Sequence, residues 1–517
     1  MSIFRAGARA ILTTVFAAGT LATPAFAQED SEPEIADFSG MRPQDVFSMY
    51  QETGNRWIRE PCTFGVPITQ YMSRAAPEDV AVKRAEFFAS ALCAEQQERF
   101  GDAITALDKL DALGIEYLGL RLYVLRRAGD IDALRDLFAG FDGEDFGEID
   151  NQGFWGIYRA FDEADRVEEI EDIALRWWSE GKFESIPLEY RESVATTAFE
   201  AAVRRGDEAL ARDLLSELAS PQTYIELLID RDYEALWPVI AERAGPNLVR
   251  VGEEAVAKAK AEFEADPANR DSFSNYAYML HFNGQFEAAI ELAQQWRERE
   301  SDGEGIEEGD AWALNIEAYA YDSLGQPEKA DAVFDQLASY APEQHDWVVN
   351  FVINRGSRLV GQGRWDEGLE AAALARKVAE DYGTTYARMI IARDHACGLM
   401  ALGRENEVAP ELEFLRENAS EALGMAIVGL ICAGEEDEAA AMLLKGLKSE
   451  DDREAAIGAL ASSDLDLFYT ASPATPDPSD LLSDRPELAA ELGKHYRDLP
   501  TELVPRATLR RKELAAD

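Results

Sequence analysis

Basic residues, histidine and cysteine are all scarce in this chain, and each shortage closes a class of function. Lysine and arginine together number 50 against 99 aspartates and glutamates, for a formal charge of -49. A surface this acidic repels phosphate backbones and anionic headgroups, which argues against nucleic acid and a membrane face as partners. A basic partner or a saline medium suits it equally well. The four histidines, His281, His345, His395 and His495, stand far apart, with no second histidine or cysteine at a ligand-motif spacing. His-Glu-x-x-His, Cys-x-x-Cys and Gly-x-Ser-x-Gly are missing, and the Gly-x-Gly pairs at 303–305 and 361–363 precede no Gly-Lys-Ser/Thr. No catalytic, cofactor-binding or metal-binding residue is nominated. Carboxylates cannot fill that gap, because with 99 of them close pairs arise on every helix. The acidic loops at 141–153 and 300–310 lack the register of a calcium loop and read as solvated turns.

A long apolar run is also missing, except at the start. Arg5 and Arg9 precede the stretch Ala10 to Ala22, followed by Pro24 and the small-x-small triplet Ala25-Phe26-Ala27. That is the layout of a cleavable secretory signal, 1–27, and it predicts a periplasmic or secreted chain cut near Ala27 without membrane insertion. Residues 28–38, "QEDSEPEIADF", read as a disordered acidic leader. In an exported chain an even cysteine count allows disulfides. Cys62, Cys93, Cys397 and Cys432 admit three connectivities, with buried free thiols as the alternative; sequence neighbours would pair Cys62 with Cys93 and Cys397 with Cys432.

Strand signals are nearly absent, whereas "AITALDKLDAL", "ALARDLLSEL" and "AAAMLLKGL" repeat apolar residues at helical spacing. The chain is predicted to be all-α. A glycine between helical runs is followed five residues on by a small residue in Gly101/Ala106, Gly206/Ala211, Gly284/Ala289, Gly325/Ala330, Gly363/Gly368 and Gly434/Ala439. Gly129 and Gly403 keep the glycine but carry Leu134 and Val408 at the offset. Glycine permits the left-handed residue that ends one helix, and the small residue one turn into the next lets the two helices approach. Such hairpins cannot bury their apolar faces alone and must stack. The interval from Gly129 to Gly206 is read as holding one degenerate hairpin around "FDEADRVEEIEDIALRWW".

Residues 318–342 carry the fullest version, with Ala318, Tyr321, Gly325, Ala330, Phe334 and Pro342 in fixed order. This resembles the tetratricopeptide (TPR) family of helix-turn-helix repeats. The resemblance implies a right-handed superhelical solenoid of stacked antiparallel hairpins whose concave side holds a peptide or protein. It divides the chain into degenerate hairpins over 39–240, TPR-like repeats over 241–465, and a Pro-rich linker, short helix and basic tail over 466–517. Arg506, Arg510, Arg511 and Lys512 make that tail the most basic segment, suited to the array's own acidic surface or to docking a partner. The expected function is a non-enzymatic scaffold acting on another envelope protein; the alternatives are an all-helical glycan-cleaving enzyme and a structural spacer.

Overall fold

The computed structural model describes residues 35–52, 56–141, 145, 151–186, 188–300, 305–449, 452–461 and 474–516. The signal segment, most of the acidic leader and parts of both acidic loops lie outside them. The chain is all-α: among the described residues the only strand-like pairing is an isolated antiparallel bridge between Asp230 and Tyr496. Two compact units divide at Leu218 and Ala219.

The first unit runs through α1 (Pro43–Glu52), α2 (Val66–Ala75), α3 (Val80–Gln96), α4 (Phe100–Asp111), α5 (Leu118–Ala128), α6 (Ile131–Ala139), α7 (Asn151–Glu163), α8 (Val167–Ser179), α9 (Leu188–Arg204) and α10 (Glu208–Leu214). From α3 onward they pack as consecutive hairpins. Packing already begins in the last residue of the acidic leader, where Phe38 is buried with Val46, Phe64 and Ile68.

The second unit comprises α11 (Pro221–Ile229), α12 (Trp237–Ala244), α13 (Val249–Ala265), α14 (Arg270–Phe282), α15 (Phe286–Glu300), α16 (Glu308–Ser323), α17 (Pro327–Leu337), α18 (Val348–Gly361), α19 (Trp365–Tyr382), α20 (Thr385–Ala401), α21 (Ala409–Glu417), α22 (Leu423–Cys432), α23 (Glu436–Lys448), α24 (Arg453–Leu460), α25 (Pro486–Leu492) and α26 (Arg506–Ala516). Its main core runs from Phe273 to Ile391 and takes in Ala507 from the far end of the chain.

The hairpin turns follow one hydrogen-bond scheme. At Gly325, φ is +67°, the Gly325 N–H donates to the Asp322 carbonyl at 2.9 Å, and the Gln326 N–H donates to the Tyr321 carbonyl at 2.9 Å. This satisfies the orphan carbonyls of α16, and Pro327, which has no N–H to lose, opens α17. The small residues at the offset are buried: Ala211, Ala289, Ala330 and Ala439 have no exposed surface. At Gly368 a Cβ would stand 2.7 Å from Val360 Cγ2 across the hairpin, so only glycine fits.

Two turns depart from the glycine rule. Gly101 is not a turn residue: it lies inside α4, and the left-handed position is taken by Glu98, φ +56°, with the Arg99 N–H donating to the Ala94 carbonyl at 2.8 Å. The degenerate hairpin is α7 and α8, with Asp165, φ +56°, in the glycine's place. The turn's hydrogen bonds hold these non-glycine residues in a conformation that costs roughly 1–2 kcal/mol.

Both neighbour disulfides are formed. Cys62–Cys93 ties the stretch Pro61–Gly65 to α3, and Cys397–Cys432 joins α20 to α22. The second closes a sequence separation of 35, for which loop entropy gives about 3–4 kcal/mol. Replacing Cys397 and Cys432 together by serine is expected to lower the second unit's unfolding free energy by about that much in urea titrations. A loss under about 1 kcal/mol would show that α20 and α22 are held by packing alone.

Candidate interaction surface

The second unit's hairpins stack unevenly. First helices touch their successors at α14 with α16, α18 with α20, α20 with α22 and α22 with α24 but not comparably at α16 with α18, and successive second helices, α15, α17, α19 and α21, have no comparable contact. From α18 onward the first helices therefore form the closer-packed, inner layer and the second helices the more widely spaced one, which curves that part of the stack towards the first helices.

On α16 that inner layer is closed, since every residue from Gly309 to Tyr321 is buried. From α18 onward it opens. Asn350, Asn354 and Ser357 on α18, Tyr386, Ile390 and Arg393 on α20 and Met425 on α22 are all half-buried and recur at three- and four-residue spacing. Side chains link them across helices. Asn354 Nδ2 donates to Asn315 Oδ1 at 3.2 Å, Ser357 Oγ donates to Asp394 Oδ2 at 2.5 Å, and Arg393 reaches Ser357 Oγ at 3.1 Å and Met425 Sδ at 3.1 Å. The result is a polar stripe across three helices, with amide and guanidinium groups fixed by their neighbours.

Ion pairs are spent between hairpins instead. Arg127 meets Glu95, Arg204 meets Glu171, Arg358 meets Asp322 and Arg376 meets Glu411, each pair 32 to 36 residues apart, about one hairpin's length. Because acids outnumber bases two to one, this leaves a large acidic surplus on the surface.

One carboxyl stands apart. Glu308, at the start of α16, accepts from Trp312 Nε1 at 3.2 Å, and burial, with Asp346 and Asp271 adding repulsion, pushes its pKa up to about 7. A carboxyl so raised favours the fold below pH 4.5, and that contribution is lost as pH rises through 7. Glu308→Gln should accordingly stabilise the second unit by about 1–2 kcal/mol at pH 8, discounted for partial exposure, and by little at pH 4.5. Equal effects at both pH values in urea melts would contradict this.

Of the repeat-signature residues, Ala318, Tyr321, Ala330 and Phe334 belong to one core cluster, while Gly325 is exposed at the turn between α16 and α17. Ala318 and Ala330 have no exposed surface, Phe334 is fully buried edge-on to Tyr319, and Tyr321 accepts from Gln294 at 2.9 Å. Pro342, half-buried, follows α17 in a largely exposed turn that leads to α18. None of them lies on the polar stripe. The stripe itself escaped the sequence reading, because Asn, Ser and Arg in a helix look like ordinary solvated positions; their three- and four-residue recurrence over successive first helices was the available signal.

The segment after α24 folds back over the same unit. The Ala474 N–H donates to the Gly361 carbonyl at 2.7 Å, and Arg485 pairs with Asp437 at 2.8 Å. The bridge at Tyr496 then joins the chain to Asp230, with the Arg497 N–H donating to the Ile229 carbonyl at 2.9 Å and the Arg497 guanidinium 3.3 Å over the Trp237 ring. From Arg485 to Tyr496 a helix and a few extended residues span roughly 25 Å at most. The last hairpin and the start of the unit therefore lie close together, clasped by this segment. The basic tail, α26, ends on the unit's own acidic surface: Arg510 bonds Glu287 and the Gly284 carbonyl, each at 2.5 Å.

Among the described residues no group of three or more His, Cys, Asp or Glu is arranged to hold a metal, and no helix is long and apolar enough to cross a membrane. No protein-family model matches the chain, and no curated protein matches it. Fourteen chains among solved structures are similar. One is the crystal structure of the TPR domain of P58(IPK), 11% identical, covering 81% of this chain and 97% of its own, with a TM-score of 0.20. At that TM-score nothing further rests on the likeness.

Proposed function

We propose that the protein is a non-enzymatic interaction scaffold of the cell envelope, and that its second unit holds a segment of another envelope protein along the half-exposed stripe of α18, α20 and α22. The observation that carries this reading is the stripe itself. Amide, hydroxyl and guanidinium groups fixed across three helices offer an extended chain both donors and acceptors, and ordering them in advance lowers the entropy lost on binding. The acidic surplus favours a partner of net positive charge and would speed its arrival. Export through residues 1–27 and the two disulfides fit an oxidising compartment.

A photo-crosslinking amino acid at Asn350 or Ile390, inside the cell, is expected to yield one reproducible protein adduct. The same group at Leu374, exposed on the second helix α19, is expected to yield none. Equal labelling from both faces, or no adduct from the inner one, would overturn the assignment.

A second reading has one observation behind it. Glu308, with a pKa pushed up to about 7, has the protonation state that a glycan-cleaving acid needs at neutral pH. Turnover of cell-wall glycan by the purified chain, abolished in Glu308→Gln, would favour the enzyme over the scaffold.

A further inference from the structure

The bridge that returns the chain to the start of the second unit has two unlike sides. The Arg231 N–H donates to the His495 carbonyl and the Arg497 N–H to the Ile229 carbonyl, each at 2.9 Å, around the facing pair Asp230 and Tyr496. Because side chains alternate along an extended chain, Arg231, His495 and Arg497 project on the side away from Asp230 and Tyr496. Trp237 lies there as well, with the Arg497 guanidinium 3.3 Å from its ring centroid and that of Arg231 5.8 Å from it. Two guanidiniums thus share one indole, and burial together with the Arg231 charge holds Arg497 below the usual arginine range. Burial and the charge of Arg453 on α24 hold His495 below its ordinary value, so its ring is neutral at pH 7.5.

A chain with 99 acids and 50 bases has carboxylates to spare, and Arg121, Arg127, Arg204, Arg358 and Arg376 each meet at least one. Half-buried Arg497 meets none among the described residues. Its Nε donates to the Leu228 carbonyl at 2.6 Å, and its two Nη groups have no hydrogen-bond partner there. Arg231 pairs through Nη1 with the largely exposed Glu234 at 3.1 Å, and its Nε is buried without a partner. Asp232 and Glu502 act on His495 and Arg497 through space. Stacking on Trp237 accounts for the position of Arg497. It leaves the donor edge of the guanidinium unused, and it gives no reason to set a second guanidinium alongside, where the two repel.

We infer that this side of the bridge binds a phosphate group, clamped by the guanidiniums of Arg231 and Arg497 with His495 beside them. Two forked guanidiniums offer more donors than the two oxygens of a carboxylate accept, and their combined charge matches the roughly -1.5 to -2 of a phosphomonoester. The acidic surplus does not forbid this. Charge beyond about 8 Å is screened at physiological salt, so one small anion senses the arginines first, whereas an extended polyanion must also lie along the acidic surface. Arg231 lies between α11 and α12 and Arg497 on the returning segment, so a bound phosphate ties the clasp shut and its binding energy adds to the stability of the closed unit. The inference goes beyond the scaffold reading and does not depend on it.

The test uses the purified full chain with its disulfides intact, titrated calorimetrically at pH 7.5 and constant ionic strength with inorganic phosphate, glycerol 3-phosphate and acetate. Both phosphates are expected to bind one to one, and acetate at least about tenfold more weakly. Arg497→Lys, which keeps a cation on Trp237 but loses the fork, should weaken phosphate at least about tenfold, as should Arg231→Gln. Glu234→Gln removes the carboxylate that competes for Arg231 and should tighten phosphate about threefold. Phosphate should also slow hydrogen exchange at the Arg231 and Arg497 amides of the natural chain and not of Arg497→Lys, which separates binding here from a general salt effect. Tighter binding of glycerol 3-phosphate assigns the site to a phosphorylated glycerol headgroup, and equal binding assigns it to free phosphate. The inference fails if no phosphate binds at millimolar concentration, or if acetate binds as tightly. It also fails if Arg497→Lys and Arg231→Gln leave the affinity unchanged, or if Glu234→Gln loosens it. Neither result bears on the crosslinks from α18 and α20, so this inference and the scaffold reading fall separately.

Discussion

Replacing Arg358 by alanine lowers the unfolding free energy of the second unit by about 3–5 kcal/mol, the loss expected when a buried ion pair is broken from one side. The Arg358 side chain has no exposed surface. It donates to both Asp322 oxygens at 2.5 and 2.7 Å, to Asp331 at 2.5 Å and to the Pro327 carbonyl at 3.1 Å, joining α18 to the hairpin of α16 and α17. Burial already pushes the Asp322 carboxyl above the usual range, and the guanidinium is what pulls it back. Without it a buried carboxylate must either stay charged unpaired or take up a proton, so the loss in Arg358→Ala should shrink as pH falls. Arg358→Met with Asp322→Leu should cost much less than the sum of the single changes, because both desolvated charges leave together. Urea titrations of the natural chain, Arg358→Ala, Arg358→Met, Asp322→Leu and the double variant at pH 7.5 and pH 5 decide the matter. A single-variant cost under about 1 kcal/mol, or strict additivity, would mean that the hairpins are joined by apolar packing alone.

Acid is expected to weaken the second unit through His281. Its ring has no exposed surface and lies 5.1 Å from the Phe286 ring, with Nε2 3.5 Å from Ser323 Oγ. Burial, together with the positive charge of Arg511 on α26, depresses its pKa from 6.5 to about 3, opposed only in part by the Tyr319 carbonyl. The folded chain thus keeps the ring neutral while the unfolded chain protonates it. His281's contribution is fully present above pH 6.5 and is lost at about 1.4 kcal/mol per pH unit below it, on the order of 4 kcal/mol by pH 3. Carboxylates elsewhere titrate in the same range, so the informative quantity is the difference between the natural chain and His281→Gln. That difference should be flat from pH 8 to 6.5 and slope below it. Parallel stability profiles for the two chains in urea between pH 7.5 and 4.5 would rule out the buried neutral ring as the cause.

Much of the architecture was readable because its signals act within a turn or two of helix. A left-handed glycine, a helix opener and a small residue five positions on are short-range requirements, and they mark Gly206, Gly284, Gly325, Gly363 and Gly434 without reference to the rest of the chain. Where hydrogen bonding lets another residue adopt the same conformation, as at Glu98 and Asp165, the glycine rule misplaces or misses a turn. The cysteines announced that disulfides could form, and the stacking of α22 on α20 brought Cys432 within bonding distance of Cys397.

The sequence by itself determined an all-α chain of hairpins, the positions of most turns and the acidic surplus, because helix periodicity, turn chemistry and charge are local or additive properties. Only the tertiary structure decided that Arg358 is buried between carboxylates, that Asn354, Ser357 and Arg393 align into one stripe, and that Tyr496 returns to Asp230 with α26 laid over Gly284. Each depends on how far one hairpin rotates against the next. Small rotations accumulate over successive hairpins, so residues more than two hundred positions apart meet through a curvature that no local pattern records.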